Sequence, residues 1–486
     1  MKKSLKLNAF LNGLRNVLNI IFPLITFPYV SHILTVEGIG AYNFSNTFVS
    51  YFLLLAELGI NTYSIREGAK YRNNKEKIEQ FSSEVFTINI FSMLLSYILL
   101  VICLVLFAQL HSYILCILIF SLQILFTTIG TEWVYQIYED YFYITLRSIV
   151  FQIISIIFLF IFVRKSDDYL NYAAITVFST VGSNILNFIN VRKYCKLHII
   201  FHFNWKKHLI PILIIFASNV ATIIYVNSDI TLLGLLKGNY VVGIYSVSSK
   251  IYQIIKTLIA SLLIVTVPRL ALLFGQRKIK EYKTILTKLT NTLVLITIPA
   301  MTGIYMLSKE IILIISGKNY LRSVNSLRIL CFAYIFSILA WILTACVLIP
   351  AKREKKVLIS TIVSAIINIL INLIFIPLWE ENAAAFSTVL AEASMFFINY
   401  HYSKDIVSDV FESKELLKNL GTSIIGCLGI IIVCLLCNIV WQSMFLKTIF
   451  SVILSIIIYG TILVLLRNKV ALDMLERAKI SLKDKL

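Results

Sequence analysis

Charge is what this sequence is short of. Charged residues make up 14% of its 486 positions, against 59% hydrophobic ones and a mean hydropathy of +0.86. A soluble domain carries about 25% charged residues, so the chain lacks the polar surface that water requires. Its eight cysteines are scattered through apolar runs and set out no disulfide framework. Cys434 and Cys437 form a CxxC in mid-run, without the helix N-terminus and access to partners that a redox pair needs, so packing explains them better. No loop exceeds about 25 residues, no Walker motif occurs, and no ATPase domain has room. A large outer loop of the kind that a membrane glycosyltransferase or polymerase uses to hold its acceptor is missing too. The basic start, Met1-Lys2-Lys3, runs into an apolar stretch that reaches Ile33 without a small-residue cleavage site. It reads as a first span and not as a signal peptide.

What is present is apolar runs of about 20 residues, each long enough to cross a bilayer core of about 30 Å. In lipid the backbone must satisfy its own hydrogen bonds, so the runs predict helices. Barrel strands would alternate in hydropathy, and these runs do not. The fold class is therefore an all-α integral membrane bundle. Fourteen spans are expected, at roughly 9–32, 40–60, 83–107, 112–134, 141–163, 169–190, 209–233, 241–265, 284–308, 325–349, 357–378, 383–401, 420–440 and 445–466.

The formal charge of +19 does not mark a nucleic-acid binder, because no soluble domain gathers it. It follows the alternation of loops instead. Arg66-Lys70-Arg72-Lys75-Lys77, Arg192-Lys193-Lys196-Lys206-Lys207, Arg269-Arg277-Lys278-Lys280-Lys283 and Lys352-Arg353-Lys355-Lys356 all fall on one side. With both termini, that side holds about 31 of the 44 Lys and Arg residues, and the other holds about seven. Both termini are thus expected in the cytoplasm. Glu139 and Asp140 at the fourth junction, and Lys318 and Arg322 in an outer loop, run against the pattern. His198, His202 and His208 have loosely metal-like spacing, but they fall in a basic juxtamembrane loop, and no metal site is expected.

A short repeat crosses the chain. Gly40-Ala41-Tyr42-Asn43-Phe44-Ser45 opens the second span and Gly243-Ile244-Tyr245-Ser246-Val247-Ser248 opens the eighth, about 203 residues later. An even number of spans lies between, so two six-helix halves would share one orientation, related by an axis along the membrane normal. This divides the chain into an N-terminal lobe (1–200, spans 1–6), a C-terminal lobe (201–403, spans 7–12) and an extra pair of spans with a basic tail (404–486). Such lobes suit transport by alternating access.

An ionisable group at mid-bilayer costs about 2.5–3.5 kcal/mol on insertion scales, so it faces a cavity or a partner. Glu57, Glu132, Lys256 and Arg328 sit near span ends or can snorkel, where a structural charge is the better reading. Arg15, Asp229, Lys250 and Glu392 lie well inside apolar runs, where structural and functional roles stand level. Asp229 and Lys250 occupy spans joined by a short hairpin and are placed to pair. Cations in a cavity suit an anion, and a diphosphate matches both the fork of Arg and the point charge of Lys. Carboxylates such as Asp229 and Glu392 suit H⁺ or Na⁺. Asn184, Asn187 and Asn190, at i, i+3 spacing, read first as interhelical hydrogen-bonding residues and second as a sugar-binding lining.

Several stretches resemble one family. Gly40-Ala41-Tyr42-Asn43, Tyr51-Phe52, Leu58-Gly59-Ile60, Arg66-Glu67 and Ala69 are similar to the second span and first cytoplasmic loop of Wzx-type O-antigen and polysaccharide flippases. These belong to the MOP superfamily, with the MATE exporters and the peptidoglycan lipid flippases. Asp229 with Leu232-Leu233-Gly234, Gly243 with Tyr245-Ser246, and Pro268-Arg269 resemble the start of its second half. Pro299 with Gly303, Gly317 with Tyr320, then Asn368, Asn372, Pro377, Ala383-Ala384-Ala385 and Glu392 continue the likeness to about residue 400. The family's glycine-rich turn after the proline is replaced here by Leu378-Trp379-Glu380-Glu381-Asn382.

The resemblance implies a MATE-like two-lobed bundle, with twelve spans plus two. It implies translocation of an undecaprenyl-diphosphate-linked oligosaccharide, an O-antigen, capsule or exopolysaccharide repeat unit, across the bacterial cytoplasmic membrane. Arg15, Arg66, Lys250 and Arg269 would then line a cationic cavity and inner gate, and Asp229, Glu392 and Glu57 are the candidate coupling carboxylates. Membrane lipids, a polysaccharide polymerase and chain-length machinery are the partners implied. No cofactor, metal or catalytic residue is expected, beyond a coupling H⁺ or Na⁺. A MATE-like H⁺- or Na⁺-coupled exporter of small molecules is the alternative, and a non-transporting scaffold ranks far lower.

The loop charges generate a topology test. Single cysteines near residues 70, 200, 278 and 354 should resist a membrane-impermeant thiol reagent in intact cells, while ones near 166 and 320 should react. The opposite pattern would invert the assignment.

Overall fold

The computed structural model describes residues 21–473 apart from Val265, together with Glu476. Helices join through short turns, and no strand occurs among the described residues, as backbone self-satisfaction in lipid requires. By internal packing the chain divides into two compact units, Met1–Ser246 and Val247–Leu486.

The first unit contains α1 (Ile21–Ile33), α2 (Val36–Glu57), α3 (Ile60–Gly68), α4 (Lys75–Leu106), α5 (Ile114–Gly130), α6 (Glu132–Ile137) and α7 (Tyr141–Phe162). It continues with α8 (Tyr169–Val177), α9 (Asn184–Asn190), α10 (Trp205–Lys237) and the first part of α11 (Asn239–Ile264). Side-chain caps fix three starts: Thr35, Asn74 and Asn204 accept from Gly38, Lys77 and Lys207 amides. Helix α2 packs on α4, α5, α8 and α10 and is the hub of this unit. It stops at Leu58 (φ 46°) and Gly59 (φ 78°), both left-handed. The carbonyl of Ala56 just before the break accepts instead from Asn89 Nδ2 at 2.8 Å and Ser92 Oγ at 2.6 Å on α4. A similar break at Thr131 (φ 39°) ends the expected fourth span early, so Glu132 opens the short helix α6 and does not lie in the span's last turn.

The second unit holds the rest of α11, then α12 (Val267–Gly275), α13 (Ile279–Met306), α14 (Ser308–Ser316), α15 (Ser323–Cys331) and α16 (Ala333–Ile342). It ends with α17 (Glu354–Trp379), α18 (Glu381–Phe411), α19 (Lys414–Val440) and α20 (Met444–Leu465). Helices α17 and α18 share a polar seam in which Asn372 Nδ2 reaches Asn368 Oδ1 (3.0 Å) and Ser387 Oγ reaches Asn372 Oδ1 (2.8 Å). Arginines hold this hairpin at both ends. Arg353 grips Asp405 bidentately at 2.7 and 2.6 Å, which holds that carboxyl below the usual range. At the other end Arg322 pairs with Glu381 at 2.7 Å and with Glu380. Glu380 is the single linking residue and takes φ 51°, so the turn that departs from the family's glycines is held by charge pairing.

Ten helices are long and apolar enough to cross a membrane among the described residues, or up to eleven if the pair Ser323–Cys331 and Ala333–Leu348, bent by 41°, is one span. Helix also occupies the expected eighth and twelfth positions, as α11 and α18. Their described parts carry Lys250, Gln253 and Lys256, or Asn382, Glu392 and Asn399, and fall below that apolarity. The first half of the expected first span lies outside the described residues, and α1 occupies its second half. The protein is a multi-pass membrane protein, and its outer faces bear the apolar side chains that lipid needs, such as Ile98, Val105, Ile153, Ile439 and Ile456.

The repeat seen in the sequence is a physical contact. A Cβ on Gly40 would lie 1.9 Å from the carbonyl oxygen of Asn239, and one on Gly243 would lie 2.1 Å from that of Val36. Val36 and Asn239 are themselves related by the same offset, so α2 and the start of α11 cross with local two-fold symmetry. Only small residues let two backbones approach this closely. Gly303, which also belongs to the resemblance, faces open space. Replacing Gly40 or Gly243 by Ala should therefore destabilise the protein by about 1–3 kcal/mol, as overpacking does, with a lower melting temperature in detergent. Gly303→Ala should melt as wild type does.

Candidate functional site

Of the residues singled out in the sequence, those of the first unit collect along α2, α10 and the α2–α3 break. Asp229 is buried on α10 and accepts a 2.7 Å hydrogen bond from Tyr245 Oη on α11. Around it, Asn227 Nδ2 donates to Ser50 Oγ (2.8 Å) and Tyr51 Oη meets Thr231 Oγ1 (2.9 Å), closing a polar seam between α2 and α10. Such a seam holds an ionisable group in an otherwise apolar wall with its hydrogen bonds filled. Glu57, in the last turn of α2, is half-buried and faces the like charge of Glu132. Glu132 is balanced by Arg147 Nη2 at 3.6 Å, and Arg147 Nη1 also donates to the Ser183 carbonyl at 3.2 Å.

In the second unit, Glu392 on α18 is buried, 2.5 Å from Lys256 Nζ and 3.3 Å from Tyr252 Oη, both on α11. Lys256, read from sequence as a snorkelling or paired charge, is paired. Lys250 lies one face away on α11, half-buried, and no described side chain of its own unit forms an ion pair with it. A cation in that setting is left to solvent or to an anionic ligand. Arg66 on α3 and Arg269 on α12 are exposed, each on a short helix that follows a break in a long one. They are 203 residues apart, the offset of the repeat. Arg66 Nε lies 3.4 Å from its neighbour Glu67. Arg15 lies outside the described residues.

The structure brings together residues that the sequence reading did not single out. Arg147 is buried in α7 against Tyr143 and Glu132. It lies within the expected fifth span, and a charge there was the signal available. His208 is not in a loop. It is buried in the first turns of α10, between Tyr63 Oη (2.8 Å from Nδ1) and Glu84 Oε2 (2.8 Å from Nε2), while Gln80 holds the other Glu84 oxygen at 2.9 Å. The Asn204 cap starts α10 four residues before it. Its apparent spacing with His198 and His202 was therefore incidental, and no group of His, Cys, Asp or Glu able to hold a metal occurs among the described residues. Asn184 and Asn187 are buried and linked at 3.4 Å within α9, and the contact from another helix is made by the Asn187 carbonyl, which accepts from Tyr135 Oη of α6 at 2.7 Å.

These buried charges, paired seams and broken helices are the equipment of a carrier, and comparison with known proteins agrees. Residues 5–274 match the family described as Polysaccharide biosynthesis protein, and residues 215–374 match the MatE family. A "Putative O-antigen transporter" of Escherichia coli (strain K12) is 23% identical over 80% of this chain and 94% of its own length. One of Shigella dysenteriae is 24% identical over 76% and 91%. Among solved structures, the lipid II flippase MurJ in an inward closed conformation superposes with a TM-score of 0.70 and 17% identity, covering 96% of this chain and 99% of that one. An inward-facing multidrug resistance MATE transporter of the MOP superfamily gives 0.64 and 14%, covering 81% and 95%. The fold is thus that of the MOP superfamily, and with more than half of its length matched, the chain belongs to the polysaccharide biosynthesis protein family.

Proposed function

We propose that this protein is a flippase that moves an undecaprenyl-diphosphate-linked oligosaccharide across the bacterial cytoplasmic membrane by alternating access, without making or breaking a bond. The observation that carries this reading is the near end-to-end match to the O-antigen transporters, 94% and 91% of their lengths, in a chain of their family. The polar residues support it. Lys250 is a membrane-embedded cation without an ion pair in its own unit, and a diphosphate is the ligand its charge suits. Arg66 and Arg269, at equivalent ends expected to face the cytoplasm, are placed to meet the substrate there, and Arg15 would join them. The cargo would be an O-antigen, capsule or exopolysaccharide repeat unit. Both termini would be cytoplasmic, and a polymerase with its chain-length machinery would take up the flipped lipid.

The match of residues 215–374 to the MatE family favours a second reading, a H⁺- or Na⁺-coupled exporter of small molecules. Asp229, Glu392 and Glu57 are the coupling candidates under either reading. Glu392 is the best placed of them, because its protonation would free Lys256 from a 2.5 Å pair.

Complementation of a flippase-deficient strain that makes the matched glycan tests the proposal. Lys250→Ala should cut glycan export roughly tenfold or more at equal protein level, since hydrogen bonds to charged groups are worth about 1.5–3 kcal/mol. Normal export by that variant would remove Lys250 from the path. No export by the wild type, with drug efflux in its place, would favour the second reading. Glu392→Gln separates coupling from binding: in proteoliposomes it should abolish the response of transport to an imposed H⁺ or Na⁺ gradient. A preserved response would clear Glu392 of that role.

A further inference from the structure

A cluster of cations in the second unit takes no part in the roles above. Lys309 in the first turn of α14, Arg328 in the last turns of α15 and Lys447 in the first turn of α20 line one cavity of about 260 Å³. Glu310 is the only carboxylate in that lining, and it is tied to Lys447, which Asn438 also holds. Three cations against one carboxylate leave two positive charges uncompensated. Arg328 is stacked over the Tyr305 ring at 5.5 Å, and its Nε is buried with no hydrogen-bond partner among the described residues. A buried guanidinium N–H left open in a cationic cavity calls for an anion with more than one oxygen.

The neighbourhood decides what carries that anion. An apolar cleft of about 480 Å³, lined by Pro299, Gly303, Ile311, Ile430 and Tyr459 among others, adjoins the cavity, and Leu307 lines both. Leu307, Ile430 and Cys434 form one buried cluster at the junction. Free phosphate would gain nothing from this cleft, whereas an amphiphile would fill both parts. The cavity also sits where a headgroup would. It lies at the ends of α13, α19 and α20 that loop charge assigns to the outside, opposite to the ends that lead to Arg269 and to the Arg353 clamp.

We infer that this cavity binds the phosphate headgroup of a lipid at the outer membrane surface, through Arg328, Lys309 and Lys447. The inference rests on the membrane reading and on the loop-charge orientation but not on the identity of the cargo. Under the flippase reading it is a station that the diphosphate reaches after crossing.

Full-length protein in phosphatidylcholine nanodiscs, examined by native mass spectrometry, provides the test. Undecaprenyl diphosphate, phosphatidylglycerol and inorganic phosphate are the three probes. At least one of the two anionic lipids should bind, and the double variant Lys309→Gln/Arg328→Gln should weaken that binding roughly tenfold or more. It leaves the Lys447–Glu310 pair in place. Lys318→Gln, which removes an outer cation beyond the cavity, should bind as wild type does. Tighter binding of undecaprenyl diphosphate would make the site a station for the cargo, and tighter binding of phosphatidylglycerol would make it a seat for a resident lipid. Either supports the headgroup site. Inorganic phosphate competing as well as the lipids do, or lipid binding unchanged in a double variant that melts as wild type does, would overturn it. If the double variant fails to fold, Arg328→Lys serves instead. It keeps the charge but loses the Nε donor, and unchanged lipid affinity in it would refute the role given to that group. Because binding is read without export, loss of this site and loss of flippase activity remain separate results.

Discussion

Two helices touch backbone to backbone where Gly40 meets Asn239 and Gly243 meets Val36, and much else follows from that crossing. Hydrocarbon supplies no hydrophobic force to press helices together, so close packing and hydrogen bonds must do so. With α2 anchored at its first turn, its length is laid against α4, α5, α8 and α10. The seam of Ser50, Tyr51, Asn227 and Thr231 then closes beside Asp229. The other partner in the crossing, α11, runs on into the second unit, where it carries Lys250, Tyr252 and Lys256. One crossing thus involves the helices that hold Glu57, Lys250 and Lys256, and α2 in turn packs on the helix that holds Asp229.

The second constraint is that every embedded charge needs a neighbour. Within each unit the arrangement is consistent: Glu132 with Arg147, Glu84 with His208, Glu392 with Lys256, Glu310 with Lys447. Breaking a buried pair exposes an uncompensated charge, at a cost of about 3–5 kcal/mol. Such pairs are stable while both partners stay and responsive when a proton or an anionic ligand competes for one of them. That combination suits a carrier, which must hold several states close in energy. Lys250 and the Arg328 cavity, two cationic places where the balance is not met inside a unit, are then places where an anionic ligand has most to contribute.

How much of this was legible beforehand depended on whether the signal was local. Hydropathy located helix at every expected position from the second to the fourteenth, because length and apolarity are properties of the segment itself. The glycine repeat was legible as a spacing but not as a contact. The Lys256 charge, read as structural, found its partner 136 residues away. His208 was misplaced because its neighbours along the chain are basic and loop-like, whereas its partners Tyr63 and Glu84 come from other helices. Arg147, Lys309 and Lys447 carry no sequence signal of their partners for a related reason, and Arg328 reads from sequence only as a structural charge near a span end. Each looks like a lone charge near a span end until four helices bring them together.

The sequence by itself determined that this chain lives in a membrane, that its segments are helical, and which family it resembles. Those are matters of composition, of period and of ordered short motifs, and each is carried by residues adjacent in the chain. Only the tertiary structure decided which charges are neutralised, where spans break, and which glycines are contacts. An ion pair or a backbone crossing is set by distances between segments far apart in sequence, and no local pattern encodes those distances. The charge deficit that marks the sequence therefore has a second meaning in the fold: with so few charges embedded, the partner of each one matters.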